Sequence, residues 1–207
     1  LCVAMAVVRG AGDVLIHDLK SPLASIISNM EFIREVMNPE PTLLTIVNNA
    51  LSAEQRQCFL IEDTVYCMLL KDQVWPIELE PVNLQELLDL LRSSVEEMLE
   101  KKGITLTFLL EDDMPPVLAS RDLLLRILNA LVDNSLKFCM RGSQIEVEAV
   151  AGADGARIVV RDTGRAILPN YTNIFDLSLQ SEARREGSRT TVGMGLPFAH
   201  VAVLQMR

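Results

Sequence analysis

Seven apolar residues, Ile16, Leu19, Leu23, Ile26, Met30, Ile33 and Met37, recur at alternating intervals of three and four. That is the spacing of a heptad seam, so the stretch reads as a long helix with one apolar edge that needs covering. NPEP at 38–41 interrupts it, because Pro39 and Pro41 carry no amide hydrogen and cannot continue a helix. Beyond the break, Leu44, Val47, Leu51, Glu54, Cys58, Ile61, Val65 and Met68 resume the same alternation, with Glu54 as a polar interruption. Thr42 is the expected N-cap of this return helix. Two seamed helices joined by a short turn make a hairpin, and a lone hairpin leaves its seams poorly covered. Pairing with a second copy into a four-helix bundle is the expectation. Gly10 and Gly12 weaken the helix ahead of Asp13, which reads as a bend or a fresh helical start there.

The pattern changes after VWP at 74–76, dividing the chain into a helical hairpin at 1–76 and a second domain at 77–207. A short strand is expected around Ile77–Leu79. Asn83 then caps a helix that Gly103 ends, and ITLTFLL (104–110) follows as a strand. DDMPP reads as a turn and RDLLLRILNALVDNSLKF (121–138) as a second helix. QIEVEAV (144–150) and ARIVVRD (156–162), separated by AGADG, pair as a β-hairpin. Residues 163–195 have no clear period and read as a long loop. Pro197 falls in the first turn of a last helix, where proline is tolerated. Helices layered on a sheet give an α+β class for this part.

The chain has 28 acidic and 19 basic residues, a net charge of −9. That balance excludes broad nucleic-acid binding, which needs a basic face, and leaves room for a local anion site made of backbone amides. Cys2, Cys58, Cys67 and Cys139 form no C-x-x-C pair, so reduced intracellular thiols are expected. No apolar run reaches the roughly 20 residues that span a bilayer. The segment is therefore expected to be soluble and to make no membrane contact itself, including as the cytoplasmic part of a longer receptor.

Within LIHDLKSPLASI (15–26), His17 lies one step off the seam, toward solvent. Pro22 has no amide for the carbonyl of Asp18, so the backbone opens one turn beyond the histidine. Asp18 stands ready to fix the imidazole tautomer or accept its proton. The alternatives are an exposed nucleophilic histidine and a chance placement. On the 121–138 helix, Asn134 and Lys137 are three apart and share a face. An amide oxygen suits Mg²⁺ and an ammonium suits phosphate, although such residues are common on surfaces. Asn129 lies about 140° around the helix from Asn134 and falls outside the site. Asp162 of RDTG ends a strand and is placed to accept from an exocyclic amine, while Gly164 lets a flat base approach; an ordinary turn is the competing reading. Gly193 and Gly195 of VGMGLP precede a helix, where free amides attract phosphate, though glycine turns before helices are frequent.

In this order, HDLKSPL, DNSLKF, DTG and GMGLP resemble the H, N, G1 and G2 boxes of the sensor histidine kinases of two-component systems. The resemblance covers nearly the whole chain. It implies a dimeric hairpin that presents the phosphoacceptor, followed by an α/β sandwich ATPase domain of the gyrase, Hsp90 and MutL type. His17 would attack the γ-phosphate of ATP, with Asp18 as its acid–base partner. Asn134 would hold Mg²⁺ and Lys137 would meet the phosphates. Asp162, with Gly164, would read adenine, and Gly193 and Gly195 would close over the triphosphate. The partners implied are a second copy through the hairpin and the receiver domain of a response regulator. Ser21 stands where family members often orient water for dephosphorylating that partner, or is plain helix surface. Phe175 of NIFDLSL matches the aromatic box or serves as an apolar anchor. Arg184, Arg185 and Arg189 either touch phosphate or belong to a solvated charged loop.

The sequence departs from the family pattern at Ala130 in the N box, Ala166 in G1 and Thr191 in G2. Each change removes a polar contact or loop freedom worth about 1 kcal/mol. After HVAVLQMR the family normally adds a closing pair of strands that the given sequence does not include, which leaves a fragment and a naturally short chain as alternatives. The three residue departures bear on activity. An active ATP-dependent kinase and a degenerate phosphotransfer or scaffolding module with weak turnover are therefore both carried forward. An ATPase or chaperone relative sharing only the nucleotide domain would lack the HDLKSP hairpin.

Overall fold

The structure is a computed structural model and describes residues 2–37, 39–71, 77–111, 113–152, 155–166, 174–175 and 193–206, with residues 2–13 and 55–56 described by backbone alone. VWP at 74–76, Thr191 and the loop arginines Arg184, Arg185 and Arg189 lie outside the described residues. The chain divides into two compact units, Leu1–Pro76 and Ile77–Arg207.

The first unit is a hairpin of α1 (Cys2–Val36) and α2 (Pro41–Lys71). α1 runs through Gly10 and Gly12 without a fresh start at Asp13; each glycine costs about 1 kcal/mol against alanine, too little to break a helix this long. Thr42 is not the N-cap. Pro41 takes the first helical position, where a missing amide costs nothing, and Leu44 N–H donates to Glu40 O at 2.9 Å. Val47, Leu51, Val65, Cys67 and Leu70 of α2 are buried. α1 is covered less well: Ile16 is buried, but Leu19 and Ile26 are each 44% exposed. Lys20 Nζ pairs with Glu62 across the hairpin. Glu54 lies buried on the α2 seam, its Oε2 without a hydrogen-bond partner among the described residues.

The second unit begins with β1 (Glu80–Val82), three residues later than the strand expected at Ile77–Leu79. Tertiary pairing sets the place: Glu80, Pro81 and Val82 align antiparallel with Ala119, Leu118 and Val117 of β3 (Val117–Ala119), a short strand the sequence did not announce. α3 (Leu84–Lys102) starts at Asn83, whose Oδ1 accepts from Gln85 N at 2.9 Å and Glu86 N at 3.4 Å. It ends at Gly103 in the left-handed region, φ 62° and ψ 45°, with Gly103 N–H donating to Glu100 O and Ile104 N–H to Leu99 O. β2 (Thr105–Leu110) runs parallel to β4 (Gln144–Gly152), which pairs antiparallel with β5 (Gly155–Asp162). Between β3 and β4 lies α4 (Arg121–Phe138). Leu87, Leu88 and Leu91 of α3 and Leu128, Val132 and Leu136 of α4 share one core with Leu106, Ile145 and Val147 of the sheet. The last helix, α5 (Gly195–Gln205), packs along α4 through buried Phe198 and Ala202, and Arg126 lies over the Phe198 ring at 5.2 Å.

Asn83→Ala and Gly103→Ala should each lower unfolding stability by about 1 kcal/mol, one by losing a cap and the other by forcing a Cβ into left-handed backbone. Urea denaturation of the double variant should return about the sum, since the two sites are a helix length apart.

Candidate functional site

In the first unit, the helical period sets His17 outside the seam, and its side chain is 80% exposed. Nδ1 lies 3.3 Å from Asp18 Oδ1. With the proton on Nδ1, that contact leaves the lone pair on Nε2, the nitrogen away from Asp18. Helix α1 continues through Pro22, so the carbonyl of Asp18 loses an amide partner while the helix persists. Ser21 is exposed one turn beyond His17.

In the second unit, α4 is the element on which the other motifs converge. Asn134 is half-buried, and its carboxamide has no hydrogen-bond partner among the described residues. Lys137 Nζ is paired with Asp133 Oδ2 at 2.6 Å. Gly193 lies directly against that ammonium: a Cβ there would stand 3.6 Å from Lys137 Nζ. About two turns back along α4, a Cβ on Gly195 would come to 3.2 Å from Ala130 Cβ. The N-box helix and the glycine turn before α5 are thus in contact at two points. Asn129 faces elsewhere, as its position on the helix demands, with Oδ1 accepting from Ser94 of α3 at 2.8 Å.

The turn after β5 is tied to the C-terminal end of α4. Ser135 Oγ donates to Asp162 Oδ2 at 2.9 Å, and Gly164 N–H donates to Asp162 Oδ1 at 2.8 Å. Arg165 N–H reaches Phe138 O at 3.3 Å, while Thr163 and Gln144 exchange bonds at 3.0 and 2.9 Å. Glycine at 164 is required by space: a Cβ would fall 2.8 Å from Asp162 Oδ1 and 2.9 Å from Phe138 O. Burial pushes the Cys139 thiol up, and the nearby Asp162 carboxylate pushes it the same way, so this cysteine stays protonated beside the turn. Ala166 is exposed. Phe175 is 47% exposed, its ring 5.4 Å from that of His200 on α5.

Sequence reasoning missed Ser135 and Asp133. Ser135 falls on the buried face of α4, three residues after Val132, and a hydroxyl there needs an acceptor. Asp133 precedes Lys137 by four, the spacing of a helical ion pair. Both signals were legible.

Residues 119–207 match the profile of the histidine kinase-, DNA gyrase B-, and HSP90-like ATPases, so the second unit carries an ATPase-type domain of this class. Histidine protein kinase SaeS of Staphylococcus aureus (strain USA300) is 29% identical over 191 residues, covering 90% of this chain and 54% of SaeS. The chain thus spans about half the length of the curated relatives it matches. Among solved structures, Acinetobacter baumannii histidine kinase AdeS shares the fold with a TM-score of 0.62 at 18% identity, over 91% of this chain and 86% of that one. Full-length ShkA in complex with AMPPNP gives a TM-score of 0.68 at 21% identity, over 95% of this chain and 41% of that one. With its hairpin and mixed α/β domain, the chain is similar to the catalytic regions of sensor histidine kinases.

Gly164→Ala should move the turn, because the Phe138 carbonyl it would strike is fixed in α4. A loss of about 1–3 kcal/mol in urea unfolding is expected.

Proposed function

We propose that the chain is the catalytic core of an ATP-dependent protein-histidine kinase, which phosphorylates His17 and passes the phosphoryl group to an aspartate on a response regulator. The observation that carries this reading is the convergence on α4 of Asn134, Lys137, the glycine turn before α5 and the Asp162 turn. The ATPase family match and the AMPPNP in the ShkA structure support a nucleoside triphosphate as ligand.

The residues present fit that ligand. Gly193 and Gly195 leave bare backbone at the start of α5, and Lys137 offers an ammonium beside it. Asp162 presents an acceptor for the amine of the base. Among the described residues no three His, Cys, Asp or Glu side chains gather as a metal site. Mg²⁺ would be held by the Asn134 carboxamide oxygen together with phosphate oxygens and water, its usual manner of binding, and would neutralise phosphate charge.

At the acceptor, Nε2 of His17 forms the new bond to the γ-phosphorus as the bond to the β,γ-bridging oxygen breaks, with ADP as leaving group. Asp18 takes the Nδ1 proton as the ring becomes cationic. Ser21, one turn on, is positioned to orient water in the reverse, dephosphorylating reaction. Exposed Leu19, Ile26 and Met68 on the seams support a homodimer through the hairpin, with the receiver domain docking near His17. No helix among the described residues is long and apolar enough to cross a membrane. The chain spans 54% of SaeS, and a place as the cytoplasmic part of a longer sensor is part of this proposal.

A degenerate module is the second reading. Ala130 favours it: its methyl group, against Gly195, stands where the family usually has an asparagine. Incubation with γ-labelled ATP separates the two. A kinase acquires acid-labile label, absent in His17→Gln and slowed about a hundredfold in Asp18→Asn. Asn134→Ala should remove the Mg²⁺ dependence of nucleotide binding in a titration. Tight nucleotide binding with no label on the wild-type chain would establish the degenerate module.

A further inference from the structure

Asp162 is exposed, yet both of its carboxylate oxygens are already engaged. One accepts from a backbone amide two residues on, which any Asp-x-Gly turn provides. The other accepts from Ser135, a side chain on a different element and only 3% exposed. Ser135 and Glu54 are the buried polar residues among those described. An alanine would fill the Ser135 position with no hydroxyl to desolvate, so the buried oxygen needs a reason, and Asp162 is its described acceptor.

We infer that Ser135 is a positioning and specificity-determining residue of the nucleotide site, fixing the Asp162 carboxylate so that it selects a 6-amino purine over a 6-oxo purine. The inference rests on the reading of Asp162 as the base-recognition group. A carboxylate held by one local amide turns about its Cα–Cβ and Cβ–Cγ bonds and meets either edge of a base through water. Held at both oxygens by donors from two elements, it keeps one orientation and remains a pure acceptor toward the ligand. An exocyclic amine then completes its hydrogen bonding, whereas a carbonyl at the same place faces lone pairs with no donor between them. Ser135 touches no substrate; it acts through Asp162.

The test is nucleotide titration on the full chain with ATP and with ITP, the 6-oxo counterpart that lacks a 2-amino group. Wild type should prefer ATP, and Ser135→Ala should weaken ATP binding about fivefold while leaving ITP nearly unchanged, collapsing the ratio. Ser135→Cys keeps the volume with a weak donor and should lose most of the preference too. Circular dichroism and urea unfolding confirm that both variants are folded. A structural role alone would weaken both nucleotides together, and that result, or an unchanged ratio, overturns the inference while the reading of Asp162 stands. If wild type itself prefers neither nucleotide, or binds neither, the base-reading role of Asp162 falls, and this inference with it.

Discussion

The bond between Ser135 and Asp162 joins the two halves of the candidate nucleotide site, one on a helix and one on a strand end. A carboxylate at the C-terminal end of a helix sits against the negative pole of its dipole, so Asp162 needs donors to stay there. Ser135 and Gly164 supply them. The end of α4 is satisfied in turn by Lys102 Nζ on Leu136 O and by Arg165 N–H on Phe138 O. Once these bonds form, the turn has one place to be. Gly164 is then obligatory, because the Phe138 carbonyl occupies the space a side chain would need.

The other side of the site depends on small residues. α5 approaches α4 so closely that Ala130 and Gly195 are in contact, and Gly193 lies against the Lys137 ammonium. The methyl group of Ala130 is part of the seat on which the start of α5 rests. Lys137 pairs with Asp133, an exposed ion pair worth a fraction of a kcal/mol.

The hairpin separates its tasks by helical phase. Val47, Leu51 and Val65 on the seam of α2 are buried, and His17, one step off the seam of α1, is exposed with Asp18 beside it. Leu19 and Ile26 stay partly open in the single chain, apolar surface that the hairpin's own two helices do not cover. Glu54, buried on the α2 seam, is the one charged residue among those described to break the apolar run there.

Much of this was legible in the sequence, because it depends on short-range rules. Heptad spacing, the proline break, the Asn83 and Gly103 caps and the β4–β5 hairpin each follow from neighbours a few residues apart, and so does the outward placement of His17. Whatever needed a partner distant in sequence was not legible. β3 exists because Val82 and Val117 pair, and the same pairing moved β1 away from Ile77–Leu79. Thr42 looked like a cap until Pro41 took the first turn. The sequence by itself determined the two helical periods and the residue types suited to phosphate, metal and base. Only tertiary structure brought Ser135 to Asp162 and Gly193 to Lys137, because a hydrogen bond or close contact between distant residues is decided by how the whole core packs.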